Sequence, residues 1–147
     1  MLRALASRGF SLVVCTNESV DHLKNPAPLL DQLTPKLARL SAWAADVGVP
    51  LVVLVAISKK AGVSSAGHTL HKQPTTSAGN AGMWHVAEAL LGAPPGGGSG
   101  GESFFVGDAA GRPTDHGDDD KRLAASAGVR FYTEIDFFRN DPLRLLG

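Results

Sequence analysis

A single cysteine, Cys15, occurs in 147 residues. It excludes an internal disulfide and any cysteine-built zinc site, and it fits a reducing compartment. Long apolar runs are also missing: none approaches the roughly 20 residues of a membrane-spanning helix. Met1–Ala6, with Arg8 close behind, is too short to read as a secretory leader. There is no excess of either charge. Fourteen basic residues offset fourteen acidic ones, so net charge gives nonspecific nucleic-acid binding no support. No Gly-x-x-x-x-Gly-Lys-Ser/Thr loop is present, which argues against an ATP-binding kinase site. These absences point to a soluble intracellular domain.

What is present suffices for one domain with a core, at 44% hydrophobic and 19% charged residues. Residues 1–8 read as the end of a helix stopped by Gly9. Phe10–Cys15 reads as a strand closed by Thr16-Asn17, and residues 21–28 as a loop. Leu37, Leu40, Ala44 and Val47 recur at helical spacing within a helix expected from Pro35 to Val47. Leu51–Ile57 is nearly continuous and Val-rich, the pattern of a strand covered on both faces. Residues 62–82 and 94–101 have the Gly/Ser-rich composition of flexible segments.

Met83–Leu91 then predicts a short helix, with Met83 and Trp84 packed into the core, and Ser103–Gly107 a third strand. Asp119–Ala127 predicts a helix ended by Gly128, Val129–Tyr132 a fourth strand, and Thr133 an N-cap for Glu134–Phe138. Strands alternate with helices, which predicts a doubly wound parallel α/β sheet.

The chemistry concentrates after the third strand. Asp108 follows Gly107 and precedes Ala109, small neighbours that leave room for a hydrated ion at a strand's C-terminal rim. With Asp115, Asp118 and Asp120 close behind, hard oxygen donors suited to Mg2+ gather there. Asp118, Asp119 and Asp120 also sit at an expected helix start, where carboxylates serve as caps. Arg112 has two readings, a phosphate contact or a structural role in the turn. Thr16 and Asn17 offer a hydroxyl and an amide at a strand end, fit either to cradle a phosphoryl oxygen or to make an ordinary local bond. Lys72 could neutralise a phosphoryl group or act as a solvent charge. His68 and His71 have no zinc spacing, and Cys15 reads as buried and inert.

Together these segments resemble a known family, the 3'-phosphatase domain of polynucleotide kinase/phosphatase enzymes in the haloacid-dehalogenase-like superfamily. The likeness is carried by Ser103-Phe104-Phe105-Val106-Gly107-Asp108-Ala109-Ala110-Gly111-Arg112, Asp120-Lys121-Arg122-Leu123-Ala124, and Phe131-Tyr132-Thr133-Glu134. Leu12-Val13-Val14-Cys15-Thr16-Asn17 resembles the family's second motif, and His71-Lys72-Gln73-Pro74 with Gly82-Met83-Trp84 its lysine loop.

The resemblance implies that Asp108 ligates Mg2+, supported by Asp120, with Asp115 or Asp118 as further supporting acids. It implies that Thr16, Asn17 and Lys72 bind the phosphoryl group, with Thr16, Lys72 and Asp108 as the catalytic set. In the family an aspartate attacks a 3'-phosphate at a DNA strand break and a second aspartate protonates the leaving hydroxyl. The expected partners are 3'-phosphorylated DNA ends and other strand-break repair proteins, with no membrane. The expected location is the nucleus, with organelle or cytoplasm as alternatives.

Three departures stand out, one being that the stretch between Pro74 and Met83 is longer than the family's. Gln73 separates Lys72 from Pro74, and no Asp-x-Asp-Gly ends any apolar strand, so the nucleophile and general acid have no residue here. The chain is therefore expected to be a partial phosphatase domain over 1–147, lacking its first, central strand and inactive alone. The competing expectations are an inactive anion-binding module and a phosphatase for small metabolites.

Overall fold

The start of the chain is clasped to the end of the longest helix among the described residues. Arg3 donates from Nε to the carbonyl of Val47 at 2.7 Å and from Nη2 to that of Asp46 at 2.8 Å. Those carbonyls end a helix and have no partner within it. The computed structural model describes residues 1–18, 26–56, 82–92 and 103–140. In chain order these form α1 (Leu2–Ser7), β1 (Leu12–Asn17), α2 (Pro26–Val47), β2 (Leu51–Ala56) and α3 (Gly82–Leu91). They continue as β3 (Phe104–Gly107), α4 (Asp119–Ala127), β4 (Arg130–Thr133) and α5 (Glu134–Arg139).

The fold is mixed α/β with parallel pairing. β1 pairs with β2 from Leu12 opposite Leu51 to Asn17 opposite Ala56, and β3 pairs with β4 from Phe104 opposite Arg130 to Gly107 opposite Thr133. Each pair is joined through a helix (α2 in the first, α4 in the second), as parallel neighbours require. Among the described residues the four strands make two separate two-stranded sheets, and β1 is not hydrogen-bonded to β3.

Aromatic packing links the two pairs. Phe10, just before β1, meets Phe104 edge-on at 5.7 Å, and Phe104 also packs on Tyr132 and Phe137 at 5.7 and 5.2 Å. Phe137 is 2% exposed, Leu123 and Ala124 are fully buried, and Trp84 and Phe105 pack against the Leu123–Ala127 cluster. Met83 is also buried, so α3 enters the core as expected. Trp84 donates from Nε1 to Glu88 at 2.8 Å.

Three elements differ from expectation. α2 begins at Pro26, nine residues before Pro35, which lies inside the helix. Pro26 opens the first turn, where a missing N–H is harmless, and the Thr34 hydroxyl next to Pro35 donates to the Leu30 carbonyl at 2.8 Å. β2 is half-buried rather than enclosed, with Ala56 alone fully buried. A two-stranded sheet leaves both of its strands at edges. Cys15 is likewise half-buried. Gly82, the last residue of the expected flexible segment 62–82, starts α3; the rest of that segment and all of 94–101 lie outside the described residues.

Candidate functional site

β3 ends at Gly107, against which the Asp120 side chain packs. Asp120, in the first turn of α4, is fully buried and accepts from the Ala109 N–H through Oδ2 at 3.1 Å. The N–H groups of Asp120 and Lys121 both reach the Ala109 carbonyl, at 3.2 and 3.3 Å. The helix start is thus sewn to the segment leaving β3. Ala109 is 1% exposed.

Beyond Ala109 the chain loops outward and is held by one carboxylate. Asp115 Oδ2 accepts from the N–H groups of Ala110 and Arg112, both at 3.0 Å, and Arg112 Nε lies 2.9 Å from each Asp115 oxygen. Arg112 Nη2 then donates to the Asp108 carbonyl at 3.0 Å and to the Glu134 carboxylate at 3.0 and 3.1 Å. Burial raises the Asp115 carboxyl, yet the backbone N–H bonds from Arg112 and Ala110 and the guanidinium bring it below its usual range. Arg112 is raised, chiefly by its bond to Glu134 and next by Asp115.

This places the expected residues differently from one another. Asp108 projects from the rim exposed, and its carboxylate makes no hydrogen bond among the described residues while its carbonyl is tied down. Asp115 and Arg112 are engaged with each other and with Glu134, so in this structure they shape the loop that presents Asp108. Asp118 is the N-cap residue of α4, makes no capping side-chain bond, and lies 3.9 Å from Arg122 at the surface. Asp120 is turned inward against the backbone. Glu134 was not among the expected site residues. Its signal in the sequence was its place directly after the Thr133 cap.

On the other pair, Thr16 and Asn17 end β1. The Thr16 hydroxyl donates to Glu18 Oε1 at 3.3 Å, and Glu18 Oε2 pairs with Lys36 of α2 at 2.9 Å. Neither Glu18 nor Lys36 was singled out from sequence. Lys72 lies outside the described residues.

Among the described residues no three His, Cys, Asp or Glu side chains lie close enough to hold a metal ion. Among the described residues Asp108 is a rim carboxylate left open, and these donors do not make a self-contained Mg2+ centre. The polar end of β1 suits a small anion at a strand rim, whereas the open Asp108 carboxylate suits a cation.

Residues 1–138 match the family described as "Polynucleotide kinase 3 phosphatase". The chain belongs to that family. Among curated proteins, polynucleotide 3'-phosphatase ZDP of Arabidopsis thaliana is 35% identical over 143 residues, which cover 93% of this chain. The same alignment spans 19% of that protein, so the chain corresponds to a small part of its relative's length. No solved structure matches. The polynucleotide kinase 3 phosphatase family match includes both β1–β2 and β3–β4, and thus both rims described above.

Proposed function

We propose that residues 1–147 form the phosphoryl-binding part of a polynucleotide 3'-phosphatase domain, whose nucleophile is supplied by a strand outside this sequence. The observation that carries the reading is that, among the described residues, β1–β2 and β3–β4 form separate parallel sheets, each with a polar rim, while the sequence contains no Asp-x-Asp-Gly. A strand lodged between β1 and β3 would hydrogen-bond to an edge of each, and its C-terminal end would carry the missing carboxylates between Thr16 and Asp108.

In this scheme the Thr16 hydroxyl and nearby N–H groups hold phosphoryl oxygens, and Lys72 offsets their charge. Asp108 would be this chain's carboxylate toward a Mg2+ ion, which when bound would offset phosphoryl charge. The incoming aspartate would attack phosphorus, the DNA 3'-oxygen would leave with a proton from a second acid, and water would hydrolyse the acyl phosphate. The product is a 3'-hydroxyl.

The name of the Arabidopsis relative favours a polynucleotide over a small metabolite as substrate. Nuclear strand breaks, where such ends arise, are the proposed setting, alongside other repair proteins. The test compares the chain alone with the chain extended by a strand ending in Asp-x-Asp-Gly-Thr, on a 3'-phosphorylated oligonucleotide and a sugar phosphate. The reading expects no turnover by the chain alone and oligonucleotide-selective hydrolysis by the extended chain. Turnover by the chain alone contradicts it, as does preference for the sugar phosphate.

A further inference from the structure

Thr16 and Glu18 are two residues apart on one extended segment, so their side chains share a face. Glu18 keeps that register past the end of β1, since its N–H donates to the Ala56 carbonyl at 2.8 Å. Its carboxylate is mostly shielded, at 19% exposed, and stands between the Thr16 hydroxyl at 3.3 Å and the Lys36 ammonium at 2.9 Å. Lys36 comes from α2, 28% exposed. The proton of Thr16 is therefore directed at Glu18. A hydroxyl has one proton, and a phosphoryl oxygen bound at Thr16 would need that same proton.

We infer that Glu18 and Lys36 set the strength of anion binding at Thr16: Glu18 competes with an arriving phosphate for the Thr16 proton, and Lys36 neutralises Glu18 so that the phosphate is not also repelled. The inference rests on the phosphoryl-binding reading above. On binding, the Thr16 hydroxyl turns from Glu18 Oε1 to the phosphate, and Glu18 keeps its bond to Lys36. An unneutralised carboxylate next to the phosphate would oppose binding directly, because two like charges at this range repel even near a protein surface. Lys36 thus acts through Glu18 and not as a phosphate ligand.

Two lysine roles give opposite double-variant results, which makes the inference testable. Binding of inorganic phosphate to the full chain is measured by titration calorimetry for the wild type, Thr16→Val, Lys36→Met, Glu18→Gln and the Glu18→Gln/Lys36→Met pair. Lys36→Met is expected to weaken binding roughly fivefold, the size of one screened charge interaction. Glu18→Gln is expected to tighten it, and the pair to bind like Glu18→Gln alone.

A wild-type affinity for Lys36→Met overturns the inference. So does a double variant as weak as Lys36→Met, which would mean that Lys36 contacts phosphate itself or only supports the fold. If the wild type binds no phosphate, or Thr16→Val binds as well as the wild type, the phosphoryl-binding reading fails and this inference falls with it.

Discussion

The Asp120 carboxylate occupies the space in which a side chain on Gly107 would begin. A Cβ built on Gly107 would overlap the Asp120 Cγ and Oδ2 atoms, and Asp120 is itself fully buried and bonded to Ala109. Two residues from different elements therefore depend on each other at the foot of the loop that carries Asp108. Gly107→Ala is expected to destabilise the chain by about 1–3 kcal/mol, the usual cost of overpacking a filled site. Urea unfolding followed by circular dichroism measures it. An unchanged midpoint would show that Asp120 moves aside freely.

Asp115 gives a stability effect with a definite pH sign. Its carboxyl titrates below the usual value in the folded chain, so the unfolded state binds its proton first. The stabilisation is fully present above the ordinary carboxylate value of about 4 and is lost as pH falls through the lowered folded value. Of the rise at Arg112, due first to Glu134, the share due to Asp115 is the other side of the same interaction and adds nothing separate to it. Asp115→Asn should lower the melting temperature at pH 7 and narrow its gap to the wild type as the pH falls below about 4. A constant gap across that range would contradict the assignment.

Thr133 is tested by its cap. Its hydroxyl oxygen accepts from the Asp136 N–H at 3.0 Å, with extended backbone at Thr133 and helix following. Thr133→Ala should cost about 1 kcal/mol of unfolding free energy, while Thr133→Ser, which keeps the oxygen, should cost less. Equal losses from both would place the effect in packing of the methyl group instead.

The same cap shows what could be read ahead of the structure. Thr133 and the Ala127–Gly128 helix end are local devices, fixed by a few neighbouring residues, and both were legible; Gly128 adopts φ +70, the left-handed conformation glycine tolerates. The start of α2 was not legible, because Pro35 reads as a helix beginning when the helix already formed from Pro26 is unknown. The split into two sheets follows from long-range pairing, which no periodicity encodes.

At the candidate site the division is similar. Asp108 and Thr16 could be picked out as polar residues ending apolar strands. The engagement of Arg112 with Glu134 joins the loop after β3 to the start of α5, and the Glu18–Lys36 pair joins a strand end to a helix. Both depend on how elements dock, and the sequence shows only that such charges exist. The resemblance named the family but not these partnerships.

The central claim is that the ends of β1 and β3 serve one phosphoryl group. An amide-resolved NMR titration with inorganic phosphate, run with Mg2+ on the chain extended by the Asp-x-Asp-Gly strand, tests it most directly, following Thr16 and Asn17 at one strand end and Asp108, Ala109 and Ala110 at the other. The account predicts that both groups of signals shift and saturate together with a single dissociation constant. Shifts confined to one strand end, or two groups saturating at unrelated concentrations, would contradict it.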